Sequence, residues 1–329
     1  MRAQPVTITH NDPMASTARM LATTALAAAL TALGTPAQAT TTTAYPGHTT
    51  SRYVPLTNAT STQAHEAGCT EGRTGATGPR ILFFGTQEKG DTLREPGTSG
   101  NSTTPRSAYS KAAAYTHHWA QGFTECRTGQ ATAHLALGVN NKDDGGVTGA
   151  HAGQRWADLV TTAQDASTTE AVTITAALDA EPSWSTPAWA RDWLAAYTQA
   201  TTTPLYAANS ADSCPTTGSG GCANGWRLAD VHHMAGGGNP RVHVIPQIYR
   251  TDGIQADQWA NISRWGHTNA DDPLRFAGAM SQHTACQQRT CNNTDNTPQQ
   301  SWDQLKKALD AHSSTRVSDL GPATDMRWP

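Results

Sequence analysis

The chain has 329 residues and a formal net charge of −3 with histidine neutral, and its pI is near 6.5. That balance leaves no basic footprint for nucleic acid or for an acidic membrane surface. The first stretch to set aside is N-terminal: Arg19 precedes an uncharged apolar run, Met20 to Gly34, and Ala37-Gln38-Ala39 places small residues where a signal peptidase cuts. Residues 1–39 are expected to be a cleaved export signal, starting at Met1 or Met14, and the mature chain is expected to be secreted, extracellular and off the membrane. An uncleaved anchor is the alternative, although the run is short for a span.

Residues 40–62 are rich in Thr, Ser and Pro and poor in large apolar side chains. Such a stretch buries too little surface to offset its ordering entropy, so it reads as a flexible lead-in. Residues 63–329 suit one (β/α) barrel, or two smaller domains.

Arg80 to Gly85 is the first strand expected, and Ser107 to Gly122 the helix after it. In the next strand Ala133, Leu135, Leu137 and Val139 share one face, and His134, Ala136, Gly138 and Asn140 the other. A helix over 150–166 carries Trp156, Leu159, Val160 and Ala163 at helical spacing. Then comes Val172 to Trp184, the stretch around which the rest is arranged. Val172, Ile174, Ala176 and Leu178 form an apolar face, while Thr173, Thr175, Ala177, Asp179 and Glu181 form one that is small and then acidic. Apolar outside and small inside is the pattern of a strand lining a closed parallel barrel, and Asp179 and Glu181 then stand at its C-terminal mouth.

Ser185, Thr186 and Pro187 open a helix to about Ala200, and Thr203 to Asn209 is a further strand. Beyond this the alternation weakens. Leu228 to Ala235 reads as a short strand and Val242 to Tyr249 as a clearer one, joined by a link too short for a crossover helix. A helix over 254–265, a strand over 275–282 and a helix over 301–312 follow, and the tail through Trp328 either closes the barrel or packs beneath it.

All six cysteines lie after the signal, in a compartment that favours oxidation. Proximity pairs Cys214 with Cys222 and Cys286 with Cys291, leaving Cys69 for Cys126. Zinc is the competing reading, but neither close pair has the spacing and the His partners of a zinc site. His232-His233, read on a strand, point to opposite faces, so at most one reaches any one site. There is no nucleotide fingerprint, Walker loop or nucleophile elbow, and no cofactor or metal is expected.

Asp179 and Glu181 lie two apart, about 6.6 Å along an extended strand. Such a pair divides labour when burial lifts one carboxyl into the range of a general acid while its partner stays ionised, which is what glycoside cleavage requires. Trp184 offers a stacking face, and Tyr206, Asn209, Gln247, Tyr249 and Gln282 sit at other strand ends as candidate ligands for sugar hydroxyls. The bland alternative is that Asp179 and Glu181 are solvated residues of a strand-to-helix turn.

At L-D-A-E-P-S-W the chain resembles a group of secreted actinobacterial proteins with a glycoside-hydrolase-like TIM barrel. The strand P-Q-I-Y, the segment F-A-G-A-M-S-Q and the paired cysteines extend that likeness. More distantly it is similar to the glycoside hydrolase family 25 lysozymes, which carry Asp-x-Glu at a strand end and whose later strands lack intervening helices. Those enzymes have a further Asp on the first strand, where R-I-L-F-F-G has Phe83, Phe84 and Gly85. The resemblance implies a single TIM-like α/β barrel, irregular in its later strands, with disulfide-closed loops. It implies Glu181 as general acid and Asp179 as the partner that positions or stabilises, in a monomer acting on a polysaccharide, with cell-wall glycan as the suggested class. The rival is a barrel that binds carbohydrate or protein without catalysis.

Overall fold

The computed structural model describes residues 44–167 and 169–329; the expected signal lies outside them. Eight parallel strands form one ladder: β1 (His48–Tyr53), β2 (Gly78–Phe83), β6 (Ala133–Asn140), β7 (Val172–Asp179), β8 (Leu205–Ala207), β9 (Val242–Val244), β10 (Met280–Ser281) and β11 (Ala323–Arg327). Its order is β10-β11-β1-β2-β6-β7-β8-β9. Parallel bridges from Val244 to Phe276 and from Gln247 to Met280 join the two ends. The ladder therefore curls back on itself as an irregular α/β barrel. A small antiparallel sheet, β3 (Thr86–Glu88), β4 (Thr92–Arg94) and β5 (Arg106–Ala108), is inserted after β2.

Helices cover the outside: α1 (Ser61–Arg73), α2 (Tyr109–Cys126), α3 (Gly149–Ala166), α4 (Pro187–Ala200), α5 (Leu228–Met234), α6 (Ile254–Ala270), α7 (His283–Gln288) and α8 (Pro298–Asp310). Alternation along the strands separates two cores. Leu135, Leu137 and Val139 of β6 and Ile174, Ala176 and Leu178 of β7 face the helices, together with Trp156 and Trp193. Ile81, Phe83, Ala136, Ala177, Tyr206, Ile245, Met280 and Met326 fill the interior of the ring. A side chain at Gly138 would run into those of Ile81 and Phe83, so the small residues of the inner face are a packing requirement.

Three disulfides tie the periphery, Cys69–Cys126 between α1 and α2, Cys214–Cys222 and Cys286–Cys291. The α1–α2 crossing is close enough that a Cβ at Gly68 would fall 1.9 Å from the Trp119 carbonyl oxygen.

Four expectations are corrected. Residues 48–53, placed in a flexible lead-in, are β1, paired to β11 on one side and β2 on the other. Its inward hydroxyls explain how so polar a stretch is buried: Ser51 Oγ accepts the Ile81 N–H at 2.9 Å and bonds Thr324 Oγ1 at 2.7 Å, and a satisfied hydroxyl carries little penalty. Ser61, at the end of that lead-in, begins α1, with Thr60 and Gln63 forming a capping box. Leu228 to Met234 is a helix, not a strand, with Leu228, Val231 and Met234 buried at helical spacing, and the later strands keep intervening helices. The strand expected over 275–282 is reduced to Met280–Ser281 and a bridge at Phe276; between them Gly278, at φ +156, packs so closely that a Cβ there would fall 2.1 Å from the Pro322 carbonyl oxygen. The tail, left open between two roles, is a barrel strand, β11.

Candidate functional site

β6 and β7 run in register from Ala133 and Val172 to Asn140 and Asp179, so both strands deliver polar residues to one end of the ring. The tripeptide Asp179-Ala180-Glu181 is pinned there by two asparagines. Asn141 accepts the Glu181 N–H at 3.0 Å and donates to the Glu181 carbonyl at 3.0 Å. From the other side Asn209 accepts the Ala180 N–H at 2.9 Å while donating to the Met234 carbonyl at 3.2 Å. Pinned backbones hold their side chains in fixed directions, which is what a preorganised site requires.

The two carboxyls share one donor. Gln247 Nε2 donates to Asp179 Oδ1 at 2.8 Å, to Glu181 Oε1 at 3.3 Å and to the Ala208 carbonyl at 3.2 Å. Asp179 and Glu181 thus stand within two hydrogen-bond lengths of each other. Burial pushes the Asp179 carboxyl well above the usual carboxylate range, and Glu181 and Asp212 push it further, against Lys142 and the Gln247 bond. Burial and then Asp212 raise Glu181 to about 8, again opposed by Gln247 and Lys142. Neighbouring acids in low dielectric retain protons between them, so the pair holds a proton at neutral pH.

A cavity of about 170 Å³ opens on Asp179, with Tyr53, Phe83, Asn140, Lys142, Trp184, Arg289 and Trp328 among its walls. Two tryptophans face into it, each covered by a cation. Lys142 Nζ lies 4.7 Å from the Trp184 ring centroid and Arg289 Cζ lies 3.7 Å from that of Trp328. Tyr53 meets Trp328 edge to face at 4.5 Å. Burial raises the Tyr53 hydroxyl above its ordinary pKa, with Asp179 and Glu181 adding to the shift, and Tyr249 is raised by burial and then by Tyr53 and the same acids.

Of the sequence-expected ligands, Trp184, Gln247 and Tyr249 come together with Asp179 and Glu181; Tyr249 donates to Met280 Sδ at 3.3 Å. Three do not. Tyr206 points down the ring, its hydroxyl 3.3 Å from His134 Nδ1 at the opposite end of β6. Asn209 is buried and spent on the backbone bonds just described. Gln282 donates to the Thr294 carbonyl at 3.0 Å and supports the last disulfide loop. His232-His233 also stay apart, since His232 is buried with Nε2 at 2.8 Å from the Asp272 carbonyl. Among the described residues no group of His, Cys, Asp and Glu could hold a metal ion.

Sequence reading missed Tyr53, Lys142, Asp212, Arg289 and Trp328. Asp212 had a signal, since it follows the end of β8; Ser183 Oγ donates to its carboxylate. Tyr53 had none once its strand was read as coil. The first-strand comparison also shifts, because R-I-L-F-F-G lies on the second barrel strand. The first, H-T-T-S-R-Y, carries no acid either.

No family model and no curated protein matches this chain. Among solved structures it is similar to the endo-beta-1,4-mannanase from Thermotoga petrophila, at 9% identity and a TM-score of 0.41, over 85% of this chain and 67% of that one. It is also similar to a candidate glycoside hydrolase from Bacteroides vulgatus ATCC 8482, at 10% identity and a TM-score of 0.40, over 87% of this chain and 51% of that one. At that level neither likeness assigns a reaction to this chain.

Proposed function

We propose that this chain is a secreted glycoside-hydrolase-like protein acting on a polysaccharide, with cell-wall glycan as the leading class. The observation that carries the reading is the pair of adjacent carboxyls, Asp179 and Glu181, bound to one Gln247 amide, with Asp179 lining a tryptophan-walled cavity. Glu181, the more open of the two, is the general acid that protonates the glycosidic oxygen, and its raised pKa keeps it protonated at neutral pH. With the pair's proton on Glu181, Asp179 is the anion, a form that Lys142 and the Gln247 amide favour; it stabilises positive charge on the sugar as the bond breaks, and water completes the reaction with Glu181 now acting as base. Trp184 and Trp328 supply the apolar faces on which sugar rings stack.

A second reading, a binding barrel without catalysis, is favoured by one feature. Lys142 and Arg289 lie over the two tryptophan rings and occupy faces a sugar would use. The two readings separate on Glu181→Gln, assayed on purified peptidoglycan and a panel of glycans. An enzyme loses about 10²–10⁴-fold in released reducing ends while still binding. No reducing ends from either protein, with binding unaltered, would establish the second reading.

A further inference from the structure

Beyond the Tyr53–Trp328 contact lies a second, larger cavity of about 370 Å³, and those two rings line both. Its charged floor is Arg52 on β1 and Arg327 on β11, which are direct cross-strand partners. Like charges placed directly opposite each other destabilise a sheet unless something neutralises them. Among the described residues no carboxylate comes within ion-pair distance of either guanidinium. Glu71, the acid that acts on Arg52 from nearby, is committed to Arg80 at 2.9 Å and to the Thr50 N–H at 3.3 Å. Glu66 sits at the rim, exposed to solvent. Arg52 lies beside the Tyr115 hydroxyl, and its Nε is buried without any partner.

We infer that Arg52 and Arg327 form an anion subsite that takes a carboxylate of the substrate, so that the glycan is an acidic one, bearing uronate-type sugars. This deepens the function proposed above and rests on it. Guanidinium groups match a carboxylate through paired N–H donors, and two guanidinium groups that line a cavity with no carboxylate partner leave such donors unspent. The two cavities meet at an aromatic wall, so a sugar ring stacked on Trp328 or Tyr53 can have one neighbour at Asp179 and Glu181 and its other side toward the arginines. The mouth repeats the sign: Lys142 and Arg289 also have no acidic ion-pair partner among the described residues. Two cations on each of the two cavities favour a chain with repeated negative charge over a neutral one.

The test uses the full chain carrying Glu181→Gln, so that cleavage does not interfere. Calorimetric affinities are measured at low ionic strength for α- and β-linked uronate oligosaccharides, each beside its carboxyl-reduced neutral counterpart, and for inorganic phosphate. The acidic member is expected to bind about tenfold tighter than the neutral one, less so as salt rises. Arg327→Gln, or Arg52→Gln, is expected to bring that ratio to within about twofold, and Arg327→Lys to recover most of it. Equal affinities for the paired oligosaccharides, absence of binding by every one of them, or a ratio that survives both Gln variants would overturn the inference. Phosphate binding without a uronate preference would also overturn it, leaving a pocket for free anions. A uronate preference in a protein whose parent cleaves nothing would keep the subsite and remove the reaction.

Discussion

Gln247 sets how Asp179 and Glu181 share charge. Its amide N–H favours the ionised form of both carboxyls, so removing it raises both pKa values further. The alkaline limb of kcat/KM, which reports loss of the proton from the acid, is expected near pH 8 in the parent protein. In Gln247→Leu that limb moves to higher pH while the rate at its plateau falls, because Asp179 is then harder to ionise. A pH–rate profile of both proteins decides it, and a limb that stays or moves down contradicts the shared-donor account. The carboxyl pair was legible from spacing on one strand face, and so were Gln247 and Trp184 as its neighbours. Tyr206 was misplaced for a plain reason: β8 delivers its side chain into the ring two residues too early, level with Ala177 and not with Asp179.

At the scale of elements, α1 and α2 are held by Cys69–Cys126 across a glycine-lined crossing, and the loop closed by Cys286–Cys291 presents Arg289 to Trp328. The loops differ in length, with sequence separations of 57 and 5, so the chain-entropy argument predicts different costs. Replacing Cys69 and Cys126 together by serine is expected to cost roughly 4 kcal/mol, and replacing Cys286 and Cys291 roughly 2 kcal/mol. Urea midpoints of the two double variants check this; the second should also weaken saccharide binding, since Arg289 loses its mount. Helices α3 and α4 were readable because their buried residues recur at helical spacing, and α2 because it is rich in alanine and follows start signals at Pro105 and Ser107. β1 was not, because its interior contacts are hydroxyls of Thr and Ser, residues that read as coil when their partners in β2 and β11 are out of view. α5 was misread because V-H-H-M-A alone fits either period; what decides it is that Leu228 belongs to the same buried stripe as Val231 and Met234.

At the scale of the molecule, β11 is the strand that joins the chain's two halves, pairing with β10 on one side and β1 on the other. A chain ending at Gly321 lacks it and leaves two strand edges and the inner core, including Ile81 and Met280, facing solvent. That truncated chain is expected to lose cooperative unfolding and soluble yield, as followed by circular dichroism and urea titration. A cooperative transition near the parent's midpoint would show that the ring does not depend on β11.

The sequence by itself determined the strand pattern of β6 and β7, apolar outward and small inward, and with it the barrel class and the placement of Asp179 and Glu181 at a strand end. Those are local properties: side chains alternate along a strand whatever the strand pairs with. Only the tertiary structure decided which other residues share the mouth. Tyr53 comes from the first barrel strand, Arg289 from the last disulfide loop and Trp328 from just beyond the last strand, and they meet because β1 lies between β2 and β11 in the ladder. Ring closure is a nonlocal event, so no pattern within any one of these segments carries it.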